Sequence, residues 1–392
     1  MTSDLSVVLK AGKELALKRR HPWIFSGAIQ RMPGSCKPGD FLRVESESGD
    51  FLAIAYFHPG HSLCGRVISF EEKPLEEIFV EKIQTAYSLR RLLLGSTTTA
   101  YRLINAEGDG IPGLVVDVYG DVFVLQITTV GIDQCRALIV KVLVDILTPK
   151  AIYEKSTGSV RELEGLPPIQ GYIFGSSEEE LFIEENGIHL VVCLKDGQKT
   201  GLFLDQREMR KWVFESSRGK HVLNAFSYTG GFSIAALLGG ALHVDSVEIS
   251  TKLQPILERN LALNALSKER HTYFCEDVFD FLERASLSSY DLMILDPPAF
   301  AKQRKDIDSA CWGYKRLLFQ VMKKAKTNTL LLFSSCSYYI GEELLRTLIF
   351  QTALETKREI RLIGRHRLAF DHPISLFHPE GDYLKSFILQ IL

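Results

Sequence analysis

The stretch HVLNAFSYTGGFSIAALLGG, residues 221–240, decides the fold. Its first six residues are typical of a short buried strand, and a helix-length apolar run follows the glycine pair. Strands and helices then alternate as far as the strand TLLLFSSCS, residues 329–337. This alternation predicts an α/β fold with a doubly wound, mostly parallel, Rossmann-like sheet. In such a sheet ligands bind at the carboxyl ends of the strands, so the residues that follow each strand are the candidates for a site.

Three successive strand ends carry groups that suit an adenosine-type cofactor. Gly230 and Gly231 let the backbone approach a ligand, although a plain strand-to-helix turn could look the same. The loop lacks the G-x-G-x-x-G spacing of dinucleotide sites, which disfavours NAD. Glu248 ends the next strand, where a carboxylate can bind ribose hydroxyls, and Asp277 ends the third, within reach of an adenine amino group.

The fourth strand ends in LDPPAF, residues 295–300. Two prolines restrict the backbone around Asp296 and hold its carboxylate rigidly. Phe300 adds an aromatic ring on which a planar base can stack. The segment therefore indicates capture of a nucleic-acid base, with an ordinary turn as the alternative.

Length and pattern together predict three domains in the 392 residues. Short strand-like runs broken by turn dipeptides predict a small β-barrel over residues 1–72. Residues 73–185 mix helices, over 73–92 and 132–147, with two strand-like runs around the turn GDGIPG, which indicates an α+β domain. The doubly wound domain would occupy residues 186–392.

Composition excludes several classes of protein. The seven cysteines are scattered singly, without the spacing of a zinc site, which predicts no bound metal and a reducing cytoplasm. No secretory signal and no apolar stretch of about 18 residues is present, so no membrane partner is expected. A net charge of −2 argues neither for nor against nucleic-acid binding, but the first 31 residues and residues 302–326 are locally basic.

Taken together, the motifs resemble a known family. NAFSYTGGFS, VEIS, EDVFDFL, LDPPAF and SSCS resemble the class I S-adenosylmethionine-dependent RNA methyltransferases. More narrowly, the chain resembles the PUA-domain family that forms 5-methylcytosine in large-subunit (23S) rRNA. The segment RHPWIFSGAI resembles the start of that family's N-terminal PUA domain. The resemblance covers essentially the whole chain and implies a PUA-like RNA-binding barrel, a middle domain and a methyltransferase domain.

The resemblance also implies site residues. The cofactor is expected to be S-adenosylmethionine and the partner RNA, with a homodimer as the assembly considered. The cofactor contacts carried over are Phe203, Asp205, Gln206, Arg207, Asn224, Phe226, Tyr228, Thr229, Gly230, Glu248, Ile249, Asp277 and Asp296. The RNA contacts expected are Arg19, Arg20, Trp23, Pro297, Phe300 and Lys302. Family members often carry Cys-Ser-Cys-Ser where this chain has Ser334 to Ser337, a Lys at Ala299, and smaller residues at Tyr338 and Tyr339.

The chemistry needs a thiol at the carboxyl edge of the sheet. Cytosine carbon 5 is a poor nucleophile until a thiolate adds to carbon 6. Cys336 follows the fifth strand and is the expected nucleophile, with Asp296 at the N3/N4 edge of the base. A buried, inert Cys336 is the alternative, and Cys311, expected in a surface loop, is the rival thiol. A base-N methyltransferase of the guanine-N7 type, or a non-catalytic RNA-binding assembly factor, are the competing functions. Trp23 has the alternative of a core position in the barrel.

Overall fold

The computed structural model describes residues 6–392, which divide into two compact units. The first unit comprises the chain up to Ile183, Val192–Leu204 and Phe370–Gly381. The second comprises Glu184–Val191, Asp205–Ala369 and Asp382–Leu392. Each unit is therefore built from three separate stretches of the chain.

The elements are numbered in chain order. The strands are β1 (Ser6–Leu9), β2 (Trp23–Phe25), β3 (Ile29–Arg31), β4 (Phe41–Glu45), β5 (Phe51–Phe57), β6 (Leu63–Ser69), β7 (Ala100–Asn105), β8 (Leu114–Tyr119), β9 (Val122–Ile127), β10 (Ala151–Ser156), β11 (Ile169–Gly175), β12 (Glu180–Glu185), β13 (Ile188–Cys193), β14 (His221–Ala225), β15 (His243–Val247), β16 (His271–Phe274), β17 (Leu292–Leu295), β18 (Thr329–Ser335), β19 (Ile360–His366) and β20 (Lys385–Ile391). The helices are α1 (Leu15–Lys18), α2 (Leu75–Leu93), α3 (Val130–Gln134), α4 (Arg136–Leu147), α5 (Ser159–Leu163), α6 (Arg207–Ser216), α7 (Gly231–Leu238), α8 (Gln254–Leu263), α9 (Val278–Arg284), α10 (Ile307–Lys324) and α11 (Glu342–Thr356).

The first unit contains two sheets. The six-stranded sheet has the order β2-β6-β5-β4-β1-β3, with β1 and β4 parallel and the other pairs antiparallel. Its short strands and intervening turns follow the pattern expected of a small β domain. Its apolar side chains, including Leu9, Val44 and Phe57, form one buried cluster.

The five-stranded sheet has the order β11-β10-β9-β8-β7. The sequence predicts two strand-like runs around the GDGIPG turn, whereas the structure has three strands there. Gly120, at a φ of +65°, turns the chain between β8 and β9 and splits the second run into a hairpin. The left-handed backbone at this position favours glycine.

The second unit contains a seven-stranded sheet of order β16-β15-β14-β17-β18-β20-β19. Strands β14 to β18 are mutually parallel, and β20 lies antiparallel between β18 and β19. The chain reverses its direction of travel across the sheet at β14, which pairs with both β15 and β17. The predicted doubly wound sheet is thus confirmed, and its ligand crevice is expected at the carboxyl ends of β14 and β17.

Helices cover this sheet with apolar faces. Phe281 of α9, Leu317 of α10 and Leu345 of α11 are buried in one cluster with Phe333 of β18. Helix α10 begins at Ile307 and includes Cys311. Cys311 therefore lies in a helix and packs against the core, so its expected place in a surface loop is wrong. Among the helices of residues 6–392, none is long and apolar enough to cross a membrane.

Candidate active site

The loop between β14 and α7 has an unusual backbone. Phe226 has a φ of +62° and Tyr228 a φ of +49°, both in the left-handed region that larger residues seldom adopt. Gly230, at +81°, caps the start of α7, and a Cβ there would come within 2.6 Å of the Leu257 side chain. Non-glycine residues held in this region cluster at functional sites, because the surrounding structure must compensate for the strain.

Glu248 follows β15 and fixes the same loop. Its carboxylate accepts hydrogen bonds from the backbone N–H of Tyr228 (3.1 Å) and of Ser250 (3.1 Å). Ile249, the next residue, has a side chain that is 67% exposed. The carboxylate at the second strand end is therefore oriented by backbone donors and lies beside the first strand end.

Asp277 begins α9. Its Oδ1 accepts from the backbone N–H of Phe279 (2.8 Å) and of Asp280 (3.3 Å), which is the geometry of a helix N-cap. This residue thus has a structural role in the helix in addition to the adenine contact expected of it.

Asp296 emerges from β17 onto the proline pair. Its Oδ1 accepts a hydrogen bond from Gln206 Nε2 at 3.0 Å. Phe300 packs against Tyr314 with ring centroids 4.7 Å apart, and Lys302 beyond it is exposed. Pro297 is buried, and its carbonyl oxygen lies 4.0 Å from the Sγ of Cys336. The Asp-Pro-Pro loop and the cysteine are therefore neighbours.

Cys336 lies directly after β18 in a polar surrounding. On one side of it, the Ser335 hydroxyl donates to the Tyr314 hydroxyl (2.8 Å), which is also 2.9 Å from the Ser337 hydroxyl. On the other, Lys385 Nζ donates to the Ser337 carbonyl at 3.0 Å. Burial raises the pKa of Tyr314, so its hydroxyl stays protonated. The residues on both sides of Cys336 are thus held by polar hydrogen bonds to Tyr314 and Lys385.

The segment before α6 also reaches this edge. Asp205 is buried, and its Oδ2 accepts from the Tyr383 hydroxyl at 2.6 Å. Arg207 begins α6, with its Nε 3.6 Å from Glu185 Oε2.

Phe203 belongs to the first unit, where Lys199 Nζ lies 4.7 Å from the centroid of its ring. Thr229 is buried in the loop, and its carbonyl accepts from Asn260 Nδ2 at 2.8 Å.

Three buried polar atoms at this edge point to a ligand. Gln206 Oε1, Asn224 Oδ1 and Ser227 Oγ have no hydrogen-bond partner within residues 6–392. Buried polar atoms are normally paired, so each such atom calls for an explanation. Acceptors and a hydroxyl beside the strained loop and Glu248 fit a ligand that carries ribose hydroxyls and amino groups.

In the first unit one of the expected RNA contacts, Arg20, lines an open cleft of about 410 Å³. Arg20 places its guanidinium 4.8 Å from the Phe70 ring centroid, and Lys82 and Glu107 face the same cleft. Trp23 is half-buried: its Nε1 donates to Glu107 Oε1 at 3.0 Å. Arg19 is exposed.

Sequence reasoning missed Lys385, Tyr314 and Tyr383, which all lie close to predicted site residues. One signal was available for Lys385, because it opens the largely apolar strand KSFILQI, where a charged residue is uncommon. Tyr314 gave no signal, since it lies on the buried face of a long helix.

Comparisons with known proteins agree with this geometry. Residues 168–359 match the family described as S-adenosylmethionine-dependent methyltransferase, and residues 7–70 match that of PUA-like domains. A crystal structure of a methyltransferase complexed with SAH is 28% identical, with a TM-score of 0.84 over 98% of this chain and 100% of that one. An S-adenosylmethionine-dependent methyltransferase from Streptococcus mutans gives 27% identity and a TM-score of 0.83, with the same coverage of both chains.

These matches confirm the predicted fold class and cofactor, and they make the chain a methyltransferase dependent on S-adenosylmethionine. Ribosomal RNA large subunit methyltransferase I of Erwinia tasmaniensis is 36% identical over 98% of this chain and 99% of its own length. The protein of that name from Aliivibrio fischeri is 36% identical over 99% of this chain and 100% of its own. At this identity over nearly the full length of both relatives, the chain belongs to the ribosomal RNA large subunit methyltransferase I family.

Proposed function

We propose that this protein methylates carbon 5 of a cytosine in large-subunit rRNA, with Cys336 as the nucleophile. The observation that carries the proposal is the juxtaposition of the Cys336 thiol and the Asp-Pro-Pro loop, with Sγ 4.0 Å from the Pro297 carbonyl. The names of the relatives support large-subunit rRNA as the substrate. The seven thiols, all free in the structure, suit the cytoplasm.

The proposed mechanism is covalent and uses Cys336 and Asp296 at this edge. The Cys336 thiolate adds to carbon 6 of the cytosine, and the electron pair of the 5,6 double bond moves into the ring, which makes carbon 5 nucleophilic. Bound S-adenosylmethionine supplies the electrophilic methyl group that carbon 5 takes. A base then removes the carbon-5 proton, the double bond re-forms, and the thiolate leaves. Asp296 is proposed to bind the N3/N4 edge of the base, where its carboxylate accepts a hydrogen bond from the N4 amino group and holds the base in register.

The cofactor contacts are proposed on the strained loop and its neighbours. Glu248 is proposed at the ribose and Asp277 at the adenine, and the loop backbone lies against the cofactor. The remaining members of the proposed set are Phe203, Asp205, Gln206, Arg207, Asn224, Phe226, Tyr228, Thr229, Gly230, Ile249 and Asp296. The unpartnered acceptors of Gln206 and Asn224 support this assignment.

RNA contacts are proposed in both units. In the first, Arg20 and Lys82 offer cations and Phe70 a stacking ring around one cleft, with Arg19 and Trp23 nearby. Phosphate contacts of this kind give affinity without sequence preference. In the second unit Pro297, Phe300 and Lys302 are proposed to receive a flipped base. A homodimer is the assembly proposed, and light scattering of the purified protein tests it.

The test of the mechanism is adduct trapping. RNA that contains 5-fluorocytosine cannot lose its carbon-5 substituent, so wild-type enzyme and S-adenosylmethionine should give a covalent complex that survives denaturation. Cys336→Ala should form no complex and no 5-methylcytosine. Cys311→Ala, which alters the thiol on α10, is the matched control and should behave as wild type. Full 5-methylcytosine formation by Cys336→Ala would refute the proposal.

A second candidate keeps the cofactor and moves the methyl group to a base nitrogen. The loop Asp296 to Phe300 favours it, because base-N methyltransferases use similar loops and need no thiol. Mass spectrometry of nucleosides from treated rRNA distinguishes 5-methylcytosine from 7-methylguanine. An N-methylated product with activity unchanged in Cys336→Ala would support this second candidate.

A further inference from the structure

Lys385 is a buried cation beside the proposed nucleophile. It opens β20 and lies directly opposite Ser335 in the antiparallel pairing of β18 and β20. Its side chain is almost fully buried, at 6% relative exposure. Its Nζ donates to the carbonyl oxygens of Ser337 (3.0 Å) and Tyr383 (2.9 Å). The ammonium is thus bound to the residue that immediately follows Cys336.

The charge of Lys385 is not neutralised by a carboxylate. Within residues 6–392 no Asp or Glu lies within ion-pairing distance of its Nζ, and both its acceptors are neutral carbonyls. The pKa of Lys385 is lowered to about 8, chiefly by burial and then by the positive charge of Arg367, while Cys336 acts in the opposite direction. A buried ammonium without a counter-ion is costly, so an anion close to it is strongly favoured.

The other charged groups around this place are already engaged. Arg367 pairs with Asp382 and with Glu342, and the Tyr383 hydroxyl is bound to Asp205. The Tyr314 hydroxyl is bound to Ser335 and Ser337, and Asp296 accepts from Gln206. Cys336 is the ionisable group adjacent to Lys385 that can become its counter-ion.

We propose that Lys385 is a positioning residue that stabilises the thiolate form of Cys336. The inference rests on the proposed function, since it concerns the residue proposed there as nucleophile. Ionisation breaks the S–H bond and releases the proton to water, while the ammonium keeps its own proton and pairs with the sulfur anion. When sulfur bonds to carbon 6, its negative charge passes into the ring and Lys385 loses its counter-ion. The same ammonium therefore assists departure of the thiolate at the end of the reaction.

The test measures thiolate directly. Wild-type protein and variants are alkylated with iodoacetamide between pH 6 and pH 9.5, and the Cys336 peptide is quantified by mass spectrometry. In Lys385→Met the alkylation rate of Cys336 at pH 7 should fall at least roughly tenfold, and the midpoint should move to higher pH. Lys385→Arg keeps the charge and should retain most of the rate. Exposed Cys275 serves as an internal reference in every sample.

Lys155→Met is the matched control. Lys155 is also buried, its Nζ donates within the described part of the chain to the carbonyls of Leu194 and Gly197, and burial lowers its pKa. It lies in the first unit, so its loss should leave the Cys336 profile unchanged. An equal slowing in both Met variants would mean that losing any buried lysine has this effect, and it would overturn the proposal.

Two further readouts keep the outcomes distinct. Methyl transfer by Lys385→Met should recover as the pH rises, because the thiol then ionises without help, whereas a merely structural defect should not recover. If Lys385→Met fails to fold, the wild-type profile decides: a midpoint at or above the ordinary cysteine value of about 8.5 overturns the proposal. An intact Lys385 effect with no trapped 5-fluorocytosine adduct would instead refute Cys336 as nucleophile and leave the thiolate pairing standing.

Discussion

Buried charged groups are paired in one part of the described chain and left without counter-ions in another. In the first unit the buried side chain of Arg90 donates two hydrogen bonds to Asp109, with Nη2 to Oδ2 at 2.7 Å. Arg102 likewise donates two to the fully buried Asp117, with Nη2 to Oδ2 at 3.0 Å. Each charge meets an opposite charge and additional hydrogen bonds, which is what allows it to be buried.

At the carboxyl edge of the seven-stranded sheet, buried groups lack such partners. Asn224 Oδ1 and Ser227 Oγ accept or donate no hydrogen bond within the described chain, and Lys385 bonds only to carbonyls. The second unit can also pair charges fully, since Arg210 binds Glu185 at 2.6 and 2.7 Å. The difference therefore belongs to particular places in the fold and not to the units, since Lys155 of the first unit is also buried and donates to carbonyl oxygens. Where incomplete polar groups lie beside the strained loop and the proposed nucleophile, we expect a ligand or a reaction to complete them.

The largest effect should come from breaking a complete pair. Arg102→Met leaves the Asp117 carboxylate buried, with the Thr200 hydroxyl still donating to it. The free energy of unfolding should fall by about 3–5 kcal/mol, as measured by denaturant titration. The double variant Arg102→Met/Asp117→Leu removes both charges and should regain most of the loss. If the single variant were as stable as wild type, the Arg102–Asp117 pair would not contribute to the free energy of unfolding.

Next in size is the pH dependence of stability that Lys385 contributes. Its pKa is about 8 in the folded chain against an ordinary 10.5, so between these values only the unfolded chain binds the proton. Stability therefore rises with pH across this window, and the cost of the buried charge is fully present below pH 8. The total gain should be on the order of 3 kcal/mol.

This gain is measured as the difference in unfolding free energy between Cys336→Ser and Cys336→Ser/Lys385→Met, so that thiol ionisation does not contribute. The difference should move in favour of the lysine as the pH increases from 8 towards 10. A difference that is flat with pH would mean that Lys385 keeps an ordinary affinity for its proton and that its burial has no electrostatic cost.

A smaller effect is expected at the cofactor loop. Glu248→Gln replaces one of two accepting oxygens with an N–H donor that faces a backbone N–H, either of Tyr228 or of Ser250. S-adenosylmethionine should bind about tenfold more weakly by calorimetry, or about 1.4 kcal/mol. Glu258→Gln, on the exposed face of α8, is the control and should bind as wild type. Unchanged affinity in Glu248→Gln would remove Glu248 from the proposed cofactor set.

How much of this could be predicted from the sequence follows from the range of the interactions. Strand order and the glycine loop are local patterns, so β14, α7 and Glu248 were predictable from neighbours in the chain. Lys385 lies near Cys336 because it pairs with Ser335, fifty residues earlier in the chain. A single sequence does not fix that strand register, so the position of Lys385 could not be predicted. The orphaned atoms were beyond prediction for the same reason, since the absence of a partner is a property of the packed structure.

The smallest effect on cofactor affinity is expected at Ser227, which is buried close in sequence to a second buried serine, Ser233. Ser227 Oγ has no partner among the described residues, whereas the Ser233 hydroxyl bonds to Asn224 Nδ2 (2.8 Å) and lies 2.7 Å from that of Ser246. Ser227→Ala removes an unsatisfied group, so stability should hold or rise slightly while affinity for S-adenosylmethionine falls by about fivefold. Ser233→Ala should instead lose about 1–2 kcal/mol of stability, because it leaves Asn224 unpaired. Calorimetry and denaturant unfolding on both variants decide the matter: a stability loss in Ser227→Ala with unchanged affinity would mean that its orphaned hydroxyl does not mark the ligand.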